Sequence, residues 1–316
     1  MQRRGVLRSA AMVAAGAGLA SAAEKGARAE NPKAAASAAR LLPGSFVQTR
    51  DGTTLFYKDW GTGKPVLFVP SWALSGDMWE YQMTPLVARG LRCVTFDRRG
   101  HGRSSQPGHG YDYDTLADDL ASVIELLDLR DITLVGHSMS PGEIVRYLTR
   151  HGSQRVARVV MLAPITPFLL KTADNPDGIP RQAFEAVRAA LAKDRARWMA
   201  EAAGPFIGVG LPGVAVSAEV TQWVIGLCMQ ASLKALLDLH RTLTETDFRA
   251  ELRAIKVPTL ILHGDHDQSA PLALTGRRTA ALIPGSRLVV YENTAHGLFL
   301  THAERVNADL MAFINV

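Results

Sequence analysis

Ile132-Thr133-Leu134-Val135-Gly136-His137-Ser138-Met139-Ser140 reads as a buried strand running straight into a sharp turn, with Glu143–Arg150 continuing as a helix. An uninterrupted apolar run suits a strand covered on both faces. Ile144, Val145 and Leu148 then follow helical spacing. A serine at such a junction holds its hydroxyl above the sheet edge and beside a helix N-terminus. The positions two before and two after it must be small, because strand and helix backbones approach closely there. Gly136 meets that demand fully, and Ser140 meets it with one added hydroxyl. The setting, more than the bare G-x-S-x-S pattern, marks Ser138 as a candidate nucleophile.

A serine hydroxyl at its ordinary pKa attacks poorly, so a base and an orienting acid must accompany it. For a serine in this setting the expected chain order is Ser, then Asp, then His. Downstream, Leu262-His263-Gly264-Asp265-His266-Asp267 and Asn293-Thr294-Ala295-His296-Gly297 each follow a strand-like run directly. His296 lies in a short polar loop and is the candidate base. Asp267 lies further past its strand than Asp265 and can reach across to the histidine; Asp265 shapes the turn. The His263, Asp265, His266 and Asp267 cluster also invites a metal reading. Alternate side chains on an extended segment point opposite ways, and no partner motif such as H-E-x-x-H occurs, so no metal is expected. The backbone N–H groups of Met139 and of Trp72, in the loop after Val66–Val69, are the candidate oxyanion donors.

Around this centre, strands and helices alternate. Phe46–Thr49 and Leu55–Lys58 flank Asp51-Gly52, a hairpin signal. Buried-strand runs start at Val66, Cys93, Ile132, Val159, Leu260 and Leu288, making eight strand segments in all. Leu116, Leu120, Val123, Ile124 and Leu127 follow helical spacing with Asp114 as N-cap, and Val306, Leu310 and Phe313 mark a last helix. This alternation predicts an α/β fold with a mostly parallel sheet covered on both faces. Residues 167–249 break the pattern with helices alone and read as a lid over the sheet's C-terminal edge, where open α/β sheets bind ligands. Phe168, Trp198, Phe206 and Trp223 are its candidate pocket walls.

The 316 residues are 47% hydrophobic and 21% charged, which excludes a disordered or collagen-like chain. Two cysteines, Cys93 and Cys228, are too few for a disulfide framework or a thiolate zinc site. They fall on separate layers and are expected as free buried thiols. Of the net charge of +5, residues 1–29 hold +4: Arg3, Arg4, Arg8, Lys25 and Arg28 against Glu24. The nearly neutral remainder gives no electrostatic reason to expect nucleic acid or an anionic membrane as partner. Arg3-Arg4, a small weakly apolar run and Ala27-Arg28-Ala29 are similar to a twin-arginine export signal with its cleavage site, so a periplasmic or secreted protein without a lasting membrane anchor is expected. Residues 30–44 read as a linker, and 45–316 as the folded domain.

Together these residues resemble the α/β-hydrolase fold and, within it, the cofactor-free haloperoxidases and arylesterases. The resemblance covers residues 45–316. It extends to Asp97-Arg98-Arg99-Gly100-His101-Gly102-Arg103-Ser104, Ser75-Gly76-Asp77-Met78-Trp79, Pro167–Gly178 and Thr244–Arg249. It implies a mostly parallel eight-stranded sheet and an acyl-enzyme on Ser138, His296 and Asp267, formed without a cofactor from a small ester or lactone. Perhydrolysis by hydrogen peroxide on the same residues is the alternative, and a non-catalytic ligand sensor a third. Two departures stand out: Pro70-Ser71 replaces the group's His-Gly before the donor residue, and Ser140 replaces glycine.

Overall fold

The structure, a computed structural model, describes residues 38–315. The predicted leader at 1–29 lies outside them. Nine strands form one sheet, one more than expected. The extra strand is β1 (Arg40–Leu42), so the end of the stretch read as a linker is sheet instead: it pairs antiparallel with β2 (Phe46–Gln48) across a tight connection. The others are β3 (Thr54–Trp60), β4 (Pro65–Val69), β5 (Arg92–Phe96), β6 (Ile132–His137), β7 (Val156–Leu162), β8 (Thr259–Gly264) and β9 (Arg287–Tyr291). Their order is β1-β2-β3-β5-β4-β6-β7-β8-β9. From β5 to β9 every neighbouring pair is parallel.

Helices α1 (Glu80–Val87), α2 (Tyr113–Leu126) and α3 (Ser140–His151) precede β7. Between β7 and β8 come α4 (Arg181–Ile207), α5 (Ala218–Met229), α6 (Leu233–Glu245) and α7 (Arg249–Ala254). The chain closes with α8 (Gly276–Leu282), α9 (Leu298–Thr301) and α10 (Ala303–Ile314). Asp112, not Asp114, caps α2 by accepting from Thr115 N; Asp114 lies in the first turn and pairs with Arg146.

Strand side chains alternate between two cores, as the pleat requires. Leu67, Val69, Leu134, Val159, Met161 and Ile261 face a cluster shared with α2 and α3. Val66, Phe68, Val135, Val160, Leu260 and Leu262 face one shared with α1 and α10. Both faces are therefore dry, which explains the near-continuous apolar strands. The segment α4–α6 adds a small cluster of its own, Leu191, Met199, Ala231 and Leu236, joined by Ala73 of the loop after β4. Helix α4 is bent at Asp194, whose backbone leaves helical geometry and whose Oδ1 accepts from Arg197 N at 3.0 Å, capping the second half.

Candidate active site

Ser138 stands one residue past β6 with φ +64°, a left-handed conformation that side-chain-bearing residues adopt at a cost. Its N–H is tied to Leu162 O at 2.9 Å. The turn admits no bulk at 136, where an added Cβ would lie 2.8 Å from Ile144 Cδ1 and 3.1 Å from Pro141 N. Ser140 does fit, and its hydroxyl is used. Oγ lies 2.9 Å from Val69 O, 2.8 Å from Pro70 O and 2.8 Å from His137 O, while accepting from His137 N at 3.2 Å. The departure from glycine thus links the serine turn to the loop after β4.

Ser138 Oγ donates to His296 Nε2 at 2.8 Å, and His296 Nδ1 donates to Asp267 Oδ2 at 2.6 Å. All three residues are buried. Burial pushes the Asp267 carboxyl up, but its electrostatic attraction to His296 and the hydrogen bonds from His263 and His296 outweigh it and hold the group below the ordinary carboxylate range. An ionised Asp267 requires the proton on Nδ1, leaving the Nε2 lone pair for the serine. Asp267 Oδ1 accepts from Ala270 N at 2.7 Å. His263, also fully buried, has Nε2 2.8 Å from Ala270 O and 3.2 Å from Asp267 Oδ2. Asp265 stays outside the relay and accepts from Thr294 N and His266 Nδ1. The His296 loop is fixed from two sides: His137 Nε2 donates to His296 O at 2.9 Å, and Gly297 N donates to Phe206 O at 2.8 Å. Among the described residues, no group of three or more His, Cys, Asp and Glu is arranged to hold a metal ion.

The sheet register sets the segments that carry the two expected oxyanion donors after the paired ends of neighbouring strands. Val69 of β4 pairs with Gly136 of β6, and Trp72 and Met139 each lie three residues further on. In a trans peptide C=O and N–H point opposite ways. Arg98 Nη1 donates to Ser71 O at 2.9 Å, so the Trp72 N–H points away from Arg98. Ser138 O accepts from Ile165 N at 3.1 Å, which directs the Met139 N–H away from Ile165. Neither N–H has a protein acceptor among the described residues. Arg98 also donates to Pro70 O at 2.5 Å and forms a fully buried ion pair with Glu143 of α3.

A cavity of about 360 Å³ opens above Ser138 and His296. Trp198 and Phe206 line it as expected. Phe168 and Trp223 do not, and the expectation is corrected for both. Phe168 is turned into the core on the α2–α3 side, with Arg249 over its ring. Trp223 packs edge-on against Tyr81 outside the cavity. Their neighbours Leu169 and Val224 line the wall instead, since a step of one residue rotates a side chain to another face. Sequence reasoning also missed Ser71, Met199, Cys228 and His240 in the wall. On α4 and α5 the signal was the helical spacing of 198, 199, 202, 203, 206 and of 224, 225, 228. Both cysteines are free; Cys93 is buried and Cys228 only half-buried.

The strand order, the serine at a strand–helix turn and the acid and base on loops after later strands define the α/β-hydrolase class. Residues 66–309 match the model of the alpha/beta hydrolase family, to which the chain belongs. A non-heme haloperoxidase of Rhodococcus erythropolis is 45% identical over 272 residues, covering 85% of this chain and 98% of the relative. A bifunctional esterase/perhydrolase of Acinetobacter calcoaceticus is 41% identical, covering 85% and 99%. Among solved structures, an esterase of Exiguobacterium antarcticum superposes with a TM-score of 0.82 at 32% identity, covering 86% of this chain and all of that one. Within the family the chain falls in the group of cofactor-free haloperoxidases and esterases.

Proposed function

We propose that the protein hydrolyses carboxylic esters or lactones of modest size through an acyl-enzyme on Ser138. One observation carries this reading: the unbroken relay Ser138–His296–Asp267 at the floor of an apolar cavity. His296 Nε2 takes the hydroxyl proton as Ser138 Oγ attacks the carbonyl, and Asp267 steadies the imidazolium. The Trp72 and Met139 N–H groups bind the oxyanion, each worth about 2.7–4 kcal/mol. The proton returns from His296 to the leaving alcohol, and water, deprotonated by the same base, releases the acid.

Names of relatives support a second reading. Haloperoxidases and an esterase/perhydrolase at 41–45% identity favour hydrogen peroxide as an alternative to water. Peroxide attack on the acyl-enzyme releases a peracid, which oxidises halide to hypohalite and returns the carboxylic acid. We also propose that residues 1–29 direct export; an intact Met1 on protein recovered from the periplasm would count against cleavage of that segment. A fluorophosphonate should label Ser138 in the folded protein, and Ser138→Ala should abolish both labelling and p-nitrophenyl ester hydrolysis. Labelling elsewhere only, or full activity in the variant, defeats the catalytic assignment. Peracid yield at equal acyl donor measures the balance between the two acceptors.

A further inference from the structure

Two polar groups of the lid helices have no part in the relay. His240 of α6 is only 7% exposed and lines the same cavity as Ser138 and His296. Its ring packs against Trp72, centroids 5.6 Å apart, and Phe184, 6.1 Å apart. Nδ1 is fully enclosed and has no hydrogen-bond partner among the described residues. Nε2 is neither enclosed nor hydrogen-bonded among the described residues, so it is the ring nitrogen that a ligand in the cavity can reach. Arg188 of α4 presents a second enclosed, unpartnered atom, Nη1, while its Nη2 reaches Glu245 at 3.7 Å. Burial, then the Arg188 charge, pulls the His240 imidazole down to about 4, so the ring is neutral at pH 7.

A ligand that covers Nε2 strips it of water, and a ligand atom that accepts from it offsets that cost. The chemistry here asks for an acceptor. A guanidinium only donates, and a neutral imidazole donates through the nitrogen that carries its proton. The positive charge of Arg188 also favours a partially negative atom close by. A full carboxylate would lose its hydration to an otherwise apolar wall, so a neutral oxygen fits better.

We propose that His240 sets substrate preference by donating from Nε2 to a keto or ether oxygen that the substrate carries at a distance from its scissile ester. This rests on the ester-hydrolase reading above and narrows its substrate class to oxygenated acyl or alkoxy groups. Without such an oxygen, a plain alkyl chain buries His240 unpaired.

The test compares p-nitrophenyl hexanoate with its 5-oxohexanoate, and pentyl acetate with 4-oxopentyl acetate, on wild type, His240→Leu and His240→Gln. Intrinsic ester reactivity cancels when ratios are compared between variants. For at least one pair, the oxo/plain ratio of kcat/KM should be about fivefold higher in wild type than in His240→Leu, carried by KM, with His240→Gln between them. Equal ratios in wild type and His240→Leu, with hydrolysis intact, overturn the role of His240 and leave the ester-hydrolase reading standing. No hydrolysis of any of the four esters by wild type overturns both. Leucine matches the apolar wall, and a thermal melt on each variant confirms that the ratios come from folded enzyme.

Discussion

The Ser140 hydroxyl touches neither nucleophile nor base, yet it lies between the two loops that carry the proposed oxyanion donors. Ser140→Ala removes its contacts with Val69 O, Pro70 O and His137 O. Arg98 still holds Pro70 O, so the loop loosens without collapsing. We expect kcat to fall about tenfold with KM little changed, the mark of an interaction made mainly in the transition state, and stability to fall by about 1 kcal/mol; steady-state kinetics beside a urea melt check both. Asp267→Asn is a harsher change. An amide can donate to His296 Nδ1 and force its proton onto Nε2, where it blocks the serine. Activity should drop roughly 10³- to 10⁴-fold while Ser138 and His296 stay in place.

Arg98 closes the turn after β5, Glu143 opens α3, and their buried pair ties these elements to the loop after β4. Removing one partner leaves an uncompensated buried charge, so Arg98→Met should cost about 3–5 kcal/mol. Pairing it with Glu143→Leu should restore most of that stability. Activity should stay low in the double variant, because the Pro70 and Ser71 carbonyls have lost their Arg98 donors and Ser140 alone holds Pro70; chemical denaturation and kcat/KM on all three variants separate the effects. None of this was legible in the sequence beyond the D-R-R-G resemblance. Ser138, Asp267 and His296 were legible because each lies in the turn or short loop that follows a strand whose apolar run is unmistakable. The lid was legible as helices but not as faces. Trp223 drew attention by its size, whereas the turn of α5 points Val224 and Cys228 inward. β1 escaped because three residues beside an Ala-rich stretch carry no periodic signal, and pairing with β2 alone defines them.

Across the whole molecule, several histidines are folded away in neutral form. Burial, with the charge of Arg98, pulls His101 down to about 3; burial, with the charge of His296, pulls His137 well below 6.5; His240 titrates near 4. Unfolded, all three return toward 6.5, so between about pH 6.5 and 4 the unfolded chain binds more protons than the native one. Their contribution to stability is complete above pH 6.5 and is lost as the pH falls through that window. Each adds a slope of at most about 1.4 kcal/mol per pH unit. Midpoint denaturant concentration measured from pH 7.5 to 4.5 should decline steadily, and His240→Leu should flatten the decline.

The cavity wall brings a thermal signature of its own. Leu169, Phe184, Val187, Met199, Phe206 and Val224 meet an incoming ligand with hydrocarbon. Withdrawing such surface from water lowers the heat capacity. Titrating an unreactive ketone analogue at several temperatures should therefore give a binding enthalpy that grows more exothermic on warming, and a Michaelis constant taken in the cold will not carry over to a warm assay.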